Sequence, residues 1–233
     1  MIKDELMELA RQPMGSGDTF MFHCTQCGNC CRNRDDILLT PFDLCRMSPA
    51  LGMDVHDILQ KYTIPYIGAV SRLPLVLLKM REDTGECPFL MEDCLCRIQT
   101  AKPTSCALYP LGRYAKRKNG SKAEILYFIR TNDCGERDVA QTPREWLGRS
   151  GMEESEEWFS VWQDATVAIS EKIKKILLKS SGEQADVIYQ FLGTMLYQNY
   201  NPKEPLVPQV KANIARAEKL IDNILQMIET GKK

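Results

Sequence analysis

All ten cysteines of the 233-residue chain lie between Cys24 and Cys134, and four fall within eight residues, Cys24-Thr25-Gln26-Cys27-Gly28-Asn29-Cys30-Cys31. Two-residue spacers let a tight turn direct successive sulfurs at one point. Gly28 lets the backbone curl with its N–H groups toward the sulfur charge. Cys30 and Cys31 are neighbours that would rarely point the same way in regular backbone. They imply two adjacent metals, one polynuclear centre, or one ligand with a supporting thiol. In an oxidising compartment ten thiols would read as a disulfide framework, whereas in a reducing one they read as a thiolate metal site. Lys3, Asp4, Glu5 and Glu8 stand where a secretory signal needs an apolar run, so the cytoplasm is the expected compartment. A disulfide relay normally uses one pair beside a strand and helix, not such a crowd.

Five more thiols follow the quartet at wide intervals: Cys87 before Pro88, Cys94 and Cys96 around Leu95, Cys106 after Ser105, and Cys134 before Gly135. Together they exceed the needs of one four-ligand site. Cys45 falls in a predicted helix among apolar neighbours and reads as a small buried hydrophobe. Arg32, Arg34, Arg97 and Lys102 lie close to these thiols in sequence and could offset their charge. The chain has two histidines, too few for a histidine-rich catalytic zinc site, although His23 beside Cys24 is a conceivable mixed ligand.

These residues resemble the YkgJ-like cysteine-cluster family, a zinc- or iron-chelating domain with a CxxCxxCC signature. The resemblance runs from Phe22-His23-Cys24 through Cys31, to the Thr40 and Asp43 helix start and to Gly85-Glu86-Cys87-Pro88-Phe89-Leu90. It continues over Cys96 and Ile98, Lys102-Pro103, Cys106, Tyr109-Pro110 and Cys134, roughly residues 20 to 135. It departs from the family pattern at Lys102, where arginine is usual, and at Gln99, where an aromatic often follows the isoleucine. The metal ligands the resemblance implies are Cys24, Cys27, Cys30, Cys31, Cys87, Cys96, Cys106 and Cys134, with Cys94 an additional thiol that could replace Cys96.

Zinc would accept two closed four-thiolate sites. Iron–sulfur chemistry would use Cys24, Cys27 and Cys30 as in a ferredoxin run, but the fourth cysteine of such a run would fall where Arg34 stands. Adjacent Cys30 and Cys31 favour a polynuclear centre, so the expected cofactor is an iron–sulfur cluster, of the 4Fe-4S kind or another polynuclear iron centre, ahead of zinc. The expected role is structural, electron-transferring or metal-handling. A similar signature occurs in flagellin lysine methylases, which makes a metal-dependent enzyme acting on a peptide or protein one alternative, although no glycine-rich cofactor loop or catalytic triad is visible. The other alternative is a metal-folded protein-interaction module.

The predicted fold is α+β, mainly α with a small β component. A loop-rich, metal-organised cysteine unit with a β-hairpin occupies residues 1–140, and a helical unit occupies 141–233. Helix starts are legible at Thr40-Pro41-Phe42-Asp43, at Asp54 and at Thr142-Pro143-Arg144-Glu145. Ile2 through Ala10 carry helical spacing. Leu75 to Met80 read as a buried strand, and Asn119-Gly120 predicts a hairpin turn between 113–118 and 122–130. After residue 142, three long amphipathic patterns are candidates to pack together and to dock a protein partner. Thirty basic side chains against thirty-one acidic ones, balanced in both portions, argue against a nucleic-acid scaffold, and the Lys116-Arg117-Lys118 cluster reads as a solvated loop. Nothing approaches the ~18 apolar residues of a membrane span.

Overall fold

The computed structural model describes residues 12–32, 34–116, 123–130 and 134–230. The predicted N-terminal helix over Ile2–Ala10, the Asn119-Gly120 turn and most of the basic cluster at its tip lie outside them. The fold is α+β, as expected, with seven α-helices and small antiparallel sheets among the described residues. The chain packs into two compact units. One comprises the described residues up to Ile37 with Lys79–Ser160, and the other comprises Leu38–Leu78 with the helices from Val161 onward. This packing does not follow the segments 1–140 and 141–233: Leu38–Leu78, which lies between cysteine groups in sequence, joins the later helices. Its apolar side chains Leu39, Leu44, Met47, Ile58 and Leu78 are buried, and burial of each is worth about 1.5–3 kcal/mol wherever the partners lie in sequence.

The first unit contains two strand pairs. Strands β1 (Phe20–His23) and β7 (Glu136–Gln141) pair antiparallel, with an irregularity in register between Met21 and His23. β5 (Leu111–Lys116) and β6 (Glu124–Ile129) form the predicted hairpin pair in continuous register from Leu111↔Ile129 to Lys116↔Glu124. The pair β1–β7 joins residues more than a hundred positions apart, and burial adds to its ladder in holding it. Phe20 and Phe22 face inward at 3% and 1% exposure, Phe22 meets Trp146 edge-on at 5.3 Å, and the Gln141 side-chain amide donates to the Phe22 carbonyl at 2.6 Å.

The second unit holds a three-stranded antiparallel sheet in the order β2 (Leu38–Leu39), β4 (Pro74–Leu78), β3 (Thr63–Ile67), so the predicted strand is its centre. Pro65 lies on β3, an edge strand, where a missing N–H is tolerated. Helix α1 (Pro41–Leu51) opens with the predicted capping box: Thr40 Oγ1 accepts from the Asp43 N–H at 3.3 Å, and the Asp43 carboxylate accepts from the Thr40 N–H at 2.8 Å. Helix α2 (Val55–Tyr62) is capped by Asp54. Among the later helices, α3 (Thr104–Leu108) and α4 (Pro143–Gly148) belong to the first unit, and α5 (Ser155–Leu177) begins there. The remainder of α5, with α6 (Gly182–Tyr197) and α7 (Leu206–Thr230), supplies the second unit's apolar stripe of Ile169, Ile173, Leu192, Leu196, Ala217 and Ile221.

Candidate metal centre

The loop leaving β1 is shaped by left-handed backbone. Gly28 has φ +73° and accepts the Cys31 N–H at 2.9 Å, closing a 3₁₀ turn over Asn29–Cys31. The left-handed φ favours glycine here, and a Cβ would also lie 3.3 Å from Cys94 Cβ and 2.5 Å from the end of the flexible Arg32 side chain, which would have to shift. Beyond the turn the chain pairs with distant segments. The Cys87 N–H donates to the Cys31 carbonyl at 2.8 Å, Arg32 forms an antiparallel bridge with Glu86, and Leu90 forms one with Cys96. Cys106 comes from α3. Cys134 stands just ahead of β7, next to Gly135, while the pairing of His23 with Glu136 brings the ends of the two strands together beside Cys24.

These segments enclose a cavity of about 240 Å³, lined by Cys24, Cys27, Cys30, Cys31, Cys96, Cys106 and Cys134, seven of the eight expected ligands. Cys94 lines it as well. Cys87, the eighth, is not on the lining but is buried behind Cys31 at 5% exposure, with its sulfur accepting the Phe89 N–H at 3.5 Å. The sulfurs of Cys30 and Cys31 are 3.9 Å apart. Among the described residues no three thiols have sulfurs all within 4.8 Å of one another; the group that meets this measure is His23, Glu136 and Asp138, all exposed. His23 thus faces carboxylates, with Nδ1 3.6 Å from Asp138 and 3.9 Å from Glu136, and is not on the cavity wall. Cys45 lies in the other unit, within α1.

Burial and neighbouring sulfurs favour the neutral thiol at Cys30, Cys31, Cys96, Cys106 and Cys134, but not at Cys87. Cys30 is pushed well above the ordinary thiol value by its hydrogen bond with Cys31, then by burial and by the neighbouring sulfur charge, with Lys102 and Arg34 opposing. Cys31 rises to about 11: the hydrogen bond from Cys30 lowers it, but that with Cys87, burial and the charges of Cys87 and Cys96 outweigh this. Cys87 is held below the usual value, chiefly by hydrogen bonding from Cys31 and also by the Phe89 N–H, against its burial. Burial raises Cys106, and its neighbours Cys31, Cys30 and Cys96 add to the rise. Such a set binds metal with release of protons, which couples affinity to pH.

The flanking cations are pinned. Arg32 pairs with Glu86 at 2.9 Å and donates to the Cys27 carbonyl at 3.3 Å and to Cys94 Sγ at 3.6 Å. Arg34 donates to the Cys30 carbonyl at 3.4 Å and is clamped by Asp36, which also takes Arg130 at 2.7 Å. Sequence reading missed Asp36, Arg130 and Trp146, since no local pattern links Arg130 or Trp146 to the cysteine run, whereas Phe22 and Tyr109, which also line the cavity, were part of the resemblance. Trp146 lines the cavity and has a buried indole Nε1 without a partner among the described residues, an unspent donor beside a thiol-lined space. Soft sulfur donors in this number suit zinc or iron–sulfur chemistry.

Residues 23–134 match the CxxCxxCC family. The family is described as "Putative zinc- or iron-chelating domain", and the matched stretch begins next to Cys24 and ends on Cys134, the two thiols at the ends of the paired strands. No curated protein and no solved structure matches the chain. The CxxCxxCC segment contains every cysteine on the cavity wall. Leu38–Leu78 also falls within the CxxCxxCC stretch, although it packs in the second unit. No described helix is long and apolar enough to cross a membrane.

Proposed function

We propose that the CxxCxxCC segment holds an iron–sulfur or other polynuclear iron centre in preference to zinc, on Cys24, Cys27, Cys30, Cys31, Cys87, Cys96, Cys106 and Cys134, as a structural, electron-transfer or metal-handling unit of the cytoplasm. The supporting observation is the spread of the sulfurs. A tetrahedral ion with metal–sulfur bonds of about 2.3 Å draws its four sulfurs to about 3.8 Å from one another, whereas no three of these thiols gather within 4.8 Å and they ring a cavity of about 240 Å³. That spacing is wider than one bare ion sets, and the adjacent Cys30 and Cys31 sulfurs, 3.9 Å apart, suit a polynuclear centre. Protein purified without oxygen is expected to carry iron and acid-labile sulfide in stoichiometric amounts, with broad visible absorption. Colourless protein with zinc and no sulfide would refute the iron assignment. An interaction role for the helices draws on Val187 and Phe191, half-exposed one turn apart on α6.

A further inference from the structure

We infer that the thiols divide into two centres of unequal accessibility, an inner one on Cys31, Cys87, Cys96 and Cys106 and an outer one on Cys24, Cys27, Cys30 and Cys134. This rests on the metal reading above and specifies how that site is built and emptied. The first argument is backbone pairing. Cys31 and Cys87 are joined by an N–H to carbonyl bond of 2.8 Å, the adjacent Arg32 and Glu86 form a bridge, and Cys96 is bridged to Leu90. Cys106 rides α3, whose Ala107 and Leu108 are buried. The outer thiols sit instead on the joined ends of β1 and β7 and on the loop that leaves β1.

Burial differs at the extremes of the division: Cys24 and Cys27 are exposed and Cys87 is buried, while Cys30, Cys31, Cys96, Cys106 and Cys134 are half-buried. Cys30 stands at the divide, its sulfur 3.9 Å from that of Cys31. Consecutive residues on a tight 3₁₀ turn present their side chains in different directions, so each of the two can serve its own centre. Cys94 belongs to neither set, being held at φ +64° beside the Arg32 guanidinium.

Releasing an outer ligand requires movement of the exposed loop that leaves β1 or fraying of the β1–β7 ends, whereas releasing an inner one requires the Cys31–Cys87 and Leu90–Cys96 pairings to separate. Local opening is far easier at exposed loops than in paired, buried segments. The test uses the full-length, metal-loaded protein, prepared without oxygen and exposed to excess EDTA, or to bathophenanthroline disulfonate if the metal is iron. Metal release is followed together with site-resolved alkylation by iodoacetamide and mass spectrometry. Two phases are expected, with rates at least about tenfold apart. The fast phase exposes Cys24, Cys27, Cys30 and Cys134, and the slow phase exposes the other four, while Cys94 alkylates before either. Cys27→Ser and Cys134→Ser are each expected to lose about half the metal and the fast phase, keeping the slow phase and the folded circular-dichroism spectrum. One phase that exposes all eight thiols together overturns the division, as does complete loss of metal from both variants. Wild-type protein without stoichiometric metal overturns the metal reading itself.

Discussion

Gly135 stands between Cys134 and β7, and replacing it by alanine separates two costs. It has φ +68°, and a Cβ built there lies 2.3 Å from the Phe22 ring and 2.4 Å from the His23 carbonyl oxygen, against a practical minimum of 3.0 Å. The left-handed backbone alone costs a non-glycine residue about 1–2 kcal/mol. The clash is an added cost, because Phe22 is 1% exposed and the His23 carbonyl is fixed backbone. Both contacts must open by about 0.6–0.7 Å to reach that minimum, which costs a further ~1–3 kcal/mol, as overpacking does elsewhere. Gly135→Ala is therefore expected to destabilise β1–β7 by about 2–5 kcal/mol. Gly151 provides the control: its φ is +60° with nothing within 4 Å of a built Cβ, so Gly151→Ala carries only the backbone cost. Amide hydrogen exchange across residues 18–26 and 134–141, in metal-loaded protein, measures the local loss, and faster metal release is expected in Gly135→Ala alone. If the two variants agree within about 0.5 kcal/mol, the steric argument and the coupling of this strand pair to the centre are wrong.

Cys45 is 6% exposed in α1 and burial pushes its thiol up to about 12; Cys45→Ser is expected to leave metal content unchanged, by elemental analysis, while lowering stability by about 1–3 kcal/mol through a hydroxyl buried among apolar groups. Burial opposes the charge of Asp36, but hydrogen bonds from Arg34 and Arg130 outweigh it and hold the carboxyl below its usual 3.8. Because the folded value is the lower one, this carboxylate stabilises the fold at pH values above 3.8, and the contribution is lost as pH falls from there through the depressed value. Asp36→Asn is expected to remove that acid dependence from pH-resolved denaturation curves and to cost about 1–2 kcal/mol at neutral pH, a figure reduced for a side chain that is partly exposed.

Much of the candidate site was legible from spacing. The Cys24–Cys31 run specified the turn, and the later thiols Cys96, Cys106 and Cys134, named through the family resemblance, lie on the cavity wall. The capping boxes at Thr40 and Thr142 and the strand at Leu75 were legible too, because each is specified within a few residues. The β1–β7 pair was not, since Phe20 and Glu136 lie too far apart for any local periodicity to connect them. Nor was the retreat of Cys87 behind Cys31, which depends on one backbone hydrogen bond between segments fifty-six residues apart.

By itself, then, the sequence determined which side chains bring soft negative charge, where the backbone must turn left-handed, and which stretches carry helical periodicity, all being properties of short segments. Tertiary structure alone decided which thiols become neighbours, which are shielded from water, and that Leu38–Leu78 packs with the later helices. Those outcomes follow from burying apolar surface and satisfying backbone hydrogen bonds between distant parts of the chain, and neither is encoded in any one segment.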